Sequence, residues 1–341
     1  MDKFYRNVIL LIIAALLIKI GFNVRHLIKT KYEWESYTCQ PSIEKINGNE
    51  NIYRVEFVRG DIITLEGVSA TLPFGGSSGR WGDSGKSWTS QHGTPIGADV
   101  IYYAGYEDKF YHLKTDFPVE EMKKAVDTTY QYYDDTYEKF SGLIFGFAPQ
   151  GMVVVWKEYG VIRIELGRYQ AEVIKEDKEL EEKLFRDWSM NREEVKARDF
   201  MPNASCALWD MYRKRYTLRV VMQNENPNLR LFQYCFTNYN GEQDIIFMPP
   251  RPATPYDNRA LPQILEMDWE TSGRERFRGN IFLNEKIIFE KFKNFKPEDK
   301  QEFEVKISKD NKKLELFLNH EPVEVDSVRI YKGSVMYKGS Y

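Results

Sequence analysis

The chain has 341 residues, 42% of them hydrophobic and 15% aromatic, with 48 basic against 51 acidic side chains for a net charge of -3. That length holds two domains, or one domain built from two repeats, and the balanced charge argues against a nucleic-acid binder, which needs a basic stripe. A mean hydropathy of -0.54 marks the bulk as water-soluble. Four histidines and three cysteines starve most metal and nucleophile schemes: Cys39, Cys206 and Cys235 show no CxxC spacing and no histidine neighbours. No cofactor and no metal are expected.

The exception to solubility comes first in the chain. Lys3 and Arg6 precede the unbroken apolar run Val8–Ile18, which continues past Lys19 to Phe22. Eleven apolar residues match a signal-peptide core, but with Lys19 snorkelling to headgroups the segment reaches the roughly 20 residues of a spanning helix. No small-x-small cleavage site follows. An uncleaved signal anchor over residues 1–29 is the reading, with a cleaved signal as the alternative. Basic residues flank the run on both sides (Arg25, Lys29 and Lys31 lie beyond it), so the positive-inside rule leaves orientation open.

Residues 30–51 read as a polar, Gly/Asn-punctuated stalk, and 52–174 as a first α+β unit. In it, Ile52–Val58 and Ile62–Ala70 alternate as two strands about the turn Arg59-Gly60-Asp61. Leu72–Gly97 is a Gly/Ser-rich loop carrying Trp81 and Trp88. Strands follow at Asp99–Tyr106 and Phe110–Phe117. Pro118 then opens a helix whose apolar stripe runs through Met122, Ala125 and Val126 to Thr129 and Tyr133. Leu143–Ala148 and Met152–Glu158 form a hairpin through Pro149-Gln150-Gly151, and Val161–Leu166 and Arg168–Val173 extend the sheet. Lys175–Arg198 is a charged helix with one apolar stripe (Leu180, Leu184, Phe185, Trp188), inside a connector spanning 175–211.

The second unit, 212–341, restarts the order. Tyr216–Met222 and Leu229–Thr237 read as a hairpin, followed by a loop at Asn238–Asn258 with the run MPPRPATP. Strands Leu265–Trp269 and Arg276–Phe282 and the helix Glu285–Phe292 echo Val100–Val126. The hairpin Phe303–Ser308 with Leu314–Leu318 and the strand Val328–Tyr331 close the sheet. The fold class is therefore α+β: mainly antiparallel hairpins, one helix per unit, two tandem repeat-like units behind an N-terminal anchor.

Three motifs in the glycine-rich loop imitate catalytic signatures. Gly75-Gly76-Ser77-Ser78-Gly79 fits G-x-S-x-G but no helix follows. Gly82-Asp83-Ser84-Gly85 lacks a usable upstream histidine. Gly85-Lys86-Ser87 has Arg80 where a phosphate loop requires glycine. His92, His112 and His320 fall in no ligand spacing, and Asp134-Asp135 point to different faces. The segment Trp209, Tyr212, Arg213, Lys214, Arg215, Tyr216 mixes the residue types of interface hot spots. With Trp81, Lys109, Tyr111 and Arg168, the residues Trp209, Tyr212, Arg213 and Arg215 make up the candidate interaction surface; its bland reading is side-chain stems packed on a sheet.

The stretches GGSSGRWGDSG, IYYAGYEDKFYHLKTDFPVEEMKKA and FGFAPQGMVVVWKEYGVIRIELGRYQA, in that order, resemble the domain-of-unknown-function 2931 family. LWDMYRKRYTLR, NYNGE and the run from Arg259 to Trp269 extend the likeness over most of Ile52–Tyr331. The resemblance implies an exported envelope protein of a Gram-negative bacterium, often a lipoprotein, with no catalytic residues to carry over. This chain departs from the lipoprotein pattern, because no cysteine closes the apolar run and Cys39 lies far beyond it. The expected function is a membrane-tethered, periplasmic, non-catalytic binding factor of immunity or scaffold type. Its partners are the membrane, through the N-terminal helix, and a protein such as a toxin or envelope component. The alternative is a hydrolase acting on envelope glycans or lipids.

Overall fold

The computed structural model describes residues 2–31, 33–46, 49–133, 136–224, 229–247 and 253–333. Asp134-Asp135 and the MPPRP part of the proline run lie outside them. The N-terminal helix α1 (Asp2–Lys31) contains a 20-residue apolar span, Tyr5–Val24, of mean hydropathy 2.3 with none of its surface buried. An apolar helix left bare by the rest of the fold suits a membrane anchor or a signal sequence.

Besides two small two-stranded hairpins (Ser42–Ile46 with Asn49–Ile52, and Thr129–Tyr133 with Thr136–Lys139), ten strands build the sheets of the first half: β1 (Trp34–Cys39), β2 (Val55–Thr64), β3 (Ala70–Thr71), β4 (Ser87–Gln91), β5 (Pro95–Ala104), β6 (Lys109–Asp116), β7 (Gly142–Ala148), β8 (Met152–Tyr159), β9 (Ile162–Gln170) and β10 (Glu172–Val173), with helix α2 (Val119–Asp127) after β6. They lie in the orders β3-β2-β5-β6-β10 and β4-β1-β7-β8-β9. Helices α3 (Lys178–Phe185), α4 (Arg192–Asp199) and α5 (Ala207–Tyr212) connect to the second half. Its strands are β11 (Arg215–Asn224), β12 (Arg230–Asn238), β13 (Gln243–Phe247), β14 (Asp257–Ala260), β15 (Pro262–Glu270), β16 (Arg276–Leu283), β17 (Gln301–Ile307), β18 (Leu314–Leu318), β19 (Glu321–Pro322) and β20 (Val325–Lys332), with α6 (Glu285–Phe292) after β16. These lie in the orders β13-β12-β15-β16-β20 and β14-β11-β17-β18-β19. Most pairings are antiparallel; β1 with β7 and β11 with β17 are parallel. A bridge between Arg163 of β9 and Gln243 of β13 fuses one sheet of each half into a ten-stranded sheet.

The hairpins that alternation and tight turns specify form as expected: β5–β6, β7–β8, β15–β16 and β17–β18. Inward residues of β5 and β6 (Val100, Tyr102, Tyr111, Leu113) pack on Phe145, Phe147 and Val153, which makes the first core. The second core joins Leu265, Met267 and Trp269 to Val220, Val305 and Leu316. Pattern and burial agree there because a strand with one covered face must alternate.

Elsewhere the expectations need correction. The stalk is not one: Trp34–Cys39 is a buried strand inside the large sheet, beginning three residues after α1 ends. Ile52–Val58 and Ile62–Ala70 are not two strands, because β2 runs straight through Arg59-Gly60-Asp61 with a bulge between Phe57 and Arg59. The α2 stripe stops at Asp127, and Thr129–Tyr133 is a strand of a small hairpin. Ile162–Gln170 is continuous. Tyr216–Met222 and Leu229–Thr237 make no hairpin: they belong to β11 and β12, in different sheets. The charged helix is two helices, broken at residues 186–191. Asn191 starts α4 with a capping box, accepting from Glu194 N at 3.0 Å while Glu194 takes the Asn191 N–H at 2.8 Å.

Candidate functional site

Six of the eight candidate interaction residues converge where the halves meet, and there they serve the interior. The glycine-rich loop lies on the turn after β12 so closely that a Cβ on Gly82 would sit 2.1 Å from Gly241 Cα, and both glycines have positive φ. Trp81 stands edge-on to Trp156 at 5.1 Å and beside Trp209 at 6.1 Å. Trp156 Nε1 donates to Asn240 O at 3.2 Å. Trp209 and Tyr212 are buried, Tyr212 against Tyr239 and Phe289. The arginines are engaged: Arg163 with Asp83 at 3.1 Å and with Gln243, Arg168 with Asp210 at 3.2 Å, Arg213 with Glu165 at 2.6 Å, Arg215 with Glu242 at 2.5 Å. Tyr111 lies apart and is also buried, its phenol donating to Glu107 at 3.0 Å. Of the eight, Lys109 is the exposed one.

At the same seam Glu158 lies in one row with Glu35 and Gly142 across three strands. Burial is the main cause that pushes its carboxyl up to about 7, against the pull of Arg163 and with the help of Glu35 and Asp83.

The loop serines are spoken for. Ser77 is buried, donates to Gln40 Oε1 at 2.6 Å and accepts from Val55 N at 3.0 Å. Lys86 donates to the Phe74 carbonyl. His112 meets Asp99 at 2.8 Å, and His320 meets Glu304 at 2.6 Å. No group of three metal-ligating side chains occurs among the described residues.

A concave site forms elsewhere, between the connector and the outer face of the β3-β2-β5-β6-β10 sheet. Tyr103 and Phe110 point outward there and are covered by Leu180, Leu184, Phe185, Met190 and Val195. Arg192 fixes the connector to the sheet: its guanidinium meets Asp108 at 2.6 Å and Asp177 and Glu181 at 2.9 Å, over the rings of Tyr103 and Phe110. Where α3 ends and α4 has not begun, the connector lifts off and leaves a cavity of about 250 Å³. Tyr106, Trp188 and Met190 wall it, and Glu56 and Asp199 lie at its polar end with Arg54 and Arg198. Trp188, expected within a buried stripe, is 36% exposed.

Glu56 pairs with Arg54 at 2.7 Å; Asp199 takes both arms of Arg198 at 2.6 Å. Burial raises the Glu56 carboxyl above the usual range although Arg54, Lys86 and Arg198 pull it down. The glycine-rich loop borders this end, since a Cβ on Gly76 would lie 2.5 Å from Glu56 Oε1. Its Phe74 stands edge-on to Trp88 of β4, 4.9 Å away, and both are exposed. Sequence reasoning reached the loop but missed the cavity. The signal was Asn191-x-x-Glu194, a capping-box spacing that marks a helix start inside the charged stretch.

A family model described as "Protein of unknown function (DUF2931)" matches residues 25–206. The chain belongs to this family. The match runs from the end of α1 through β10, α3 and α4, and so includes the cavity; α5 and the second half lie beyond it. Neither a curated protein nor a solved structure matches the chain.

Proposed function

We propose that this DUF2931 member is a membrane-tethered, non-catalytic binding protein of the bacterial envelope, with its ligand groove between the connector and the glycine-rich loop. The observation that carries the reading is the cavity beside Trp188. It combines aromatic walls, two arginines and an exposed aromatic pair at the bordering loop, the residue types that dominate interface hot spots. The bare apolar helix supports the tether; the periplasmic side for the rest of the chain is part of the same proposal, since basic residues flank the helix at both ends.

Two copies of one scaffold are part of the same proposal. Each strand from β1 to β10 has a counterpart ten strands later with the same neighbours, down to the parallel pairs β1–β7 and β11–β17 and the helices after β6 and β16. In this scheme the partner of Tyr216–Met222 is Trp34–Cys39, rather than the Ile52–Ala70 segment that a hairpin at Tyr216–Thr237 would match by pattern. The connector that covers the groove belongs to the first copy's outer face, so binding is assigned to one copy.

The hydrolase alternative draws on Glu56 and Asp199, which share the cavity. Each is held by an arginine in an ion pair, a geometry that suits recognition better than general acid–base work.

The test is photo-crosslinking in membranes from cells expressing the full chain with a crosslinker at residue 188, against the same experiment at Glu290 on α6. A specific adduct at residue 188 that disappears with Met190→Trp, which fills the cavity, is expected. Equal labelling at both positions, or none at residue 188, would sink the groove as a binding site. Removing residues 1–23 should release the protein from membranes, and retention would refute the tether.

A further inference from the structure

We infer that the groove receives a basic side chain, an arginine or lysine of a partner polypeptide, which enters between Trp188 and Tyr106 and takes the place of Arg54 on Glu56. The inference rests on the groove being the binding site and adds what it recognises. The first support is an asymmetry within each ion pair. Glu56 and Asp199 have side chains only 12% and 22% exposed, whereas their arginines are 60% and 58% exposed. The acids are built into the wall, and the cations reach in from outside on long stems. An exposed arginine gains little from such a pair and keeps its rotamer freedom by leaving it.

A second support is the local field. Asp199 is the last residue of α4, where the helix carbonyls add negative potential, and its carboxylate lies against the β5–β6 turn, 3.7 Å from where a Gly105 Cβ would be. Glu56 retains a burial cost that Arg54, reaching in from solvent, leaves uncompensated, and that a cation brought in with its surroundings desolvated would relieve. The walls complete the argument: Trp188 and Tyr106 line the cavity, and aromatic rings attract a cation brought close to them. The cavity, about 250 Å³, falls below the roughly 300–1,000 Å³ of drug-sized ligand sites, so it suits one long side chain rather than a metabolite.

The test uses the full chain in nanodiscs and ligand-detected NMR with N-acetyl-arginine amide. N-acetyl-citrulline amide, its uncharged isostere, is the control. The arginine probe should bind at least ten-fold more tightly than citrulline. Its affinity should rise with pH through the Glu56 titration, because the cation needs the ionised carboxylate. Glu56→Gln with Asp199→Asn should abolish the preference. Trp188→Ala, at a half-exposed position that the fold tolerates, should weaken arginine binding several-fold, and Trp188→Phe should restore it. Equal binding of the two probes, or an arginine preference that survives the double substitution, overturns the inference. The two readings fail separately: a partner crosslinked at residue 188 that is lost with Tyr106→Ala but indifferent to Glu56→Gln and Asp199→Asn would keep the groove and discard the basic side chain.

Discussion

The outer faces of the two corresponding sheets treat matched positions in opposite ways. Tyr102 and Tyr111 of β5 and β6 point into the first core as Trp269 and Phe277 of β15 and β16 point into the second. One residue along, facing out, the first sheet has Tyr103 opposite Phe110, and the second has Glu270 opposite Arg276, paired at 3.1 Å. An aromatic pair requires a cover, and the connector supplies it. An ion pair at the same place needs no apolar cover, and its side chains keep 19% and 12% of their surface exposed. The inner faces maintain the fold, and the outer faces decide which half acquires a groove.

The sharpest way to break this comparison is to truncate one matched outer residue in each half. Phe110→Ala should cost about 3–5 kcal/mol, the range for a buried aromatic, in urea unfolding of the full chain. Arg276→Ala should cost less, about 1.5–3 kcal/mol, for one charged pair at a mostly covered site. Equal costs would mean that the connector does not depend on the aromatic face. The seam between the halves offers a pH probe. The Glu158 carboxyl is raised when folded, so its contribution is most favourable below about pH 4.5 and is lost as pH rises toward about 7. At about 1.4 kcal/mol per pH unit, Glu158→Gln should therefore gain up to about 3 kcal/mol on the wild type across that window. A difference that does not change with pH would remove the seam from the argument.

Smaller effects test the cover itself. Arg192→Ala breaks three ion pairs and two cation–π contacts at once and should cost about 2 kcal/mol, with faster proteolysis confined to residues 175–200. Cleavage spread evenly over the chain would show that the connector is not a separate layer. Asn191→Ala removes one side of the capping box and should cost about 1 kcal/mol, read as earlier hydrogen exchange in α4 alone.

What the sequence determined by itself was local. The apolar run of α1, the hairpins β5–β6 and β15–β16, and the start of α2 at Pro118 follow from periodicity, turn residues and first-turn chemistry within a few neighbours. The echo between Val100–Val126 and Ile264–Phe292 was visible for the same reason: strand, turn, strand and helix are consecutive there. Only the tertiary structure placed Trp34–Cys39 beside Gly142–Ala148, or sent β11 and β12 to different sheets. Parallel partners far apart in the chain share no turn, and a short polar-flanked strand carries no period that names its neighbour. The candidate residues divide along the same line. Aromatic and arginine content flagged Trp81, Trp209 and Arg213, and three-dimensional packing turned them into the seam. The groove at Trp188 depends on a helix break and on a sheet face brought beneath it from more than one segment, so composition could supply its residue types but not their meeting.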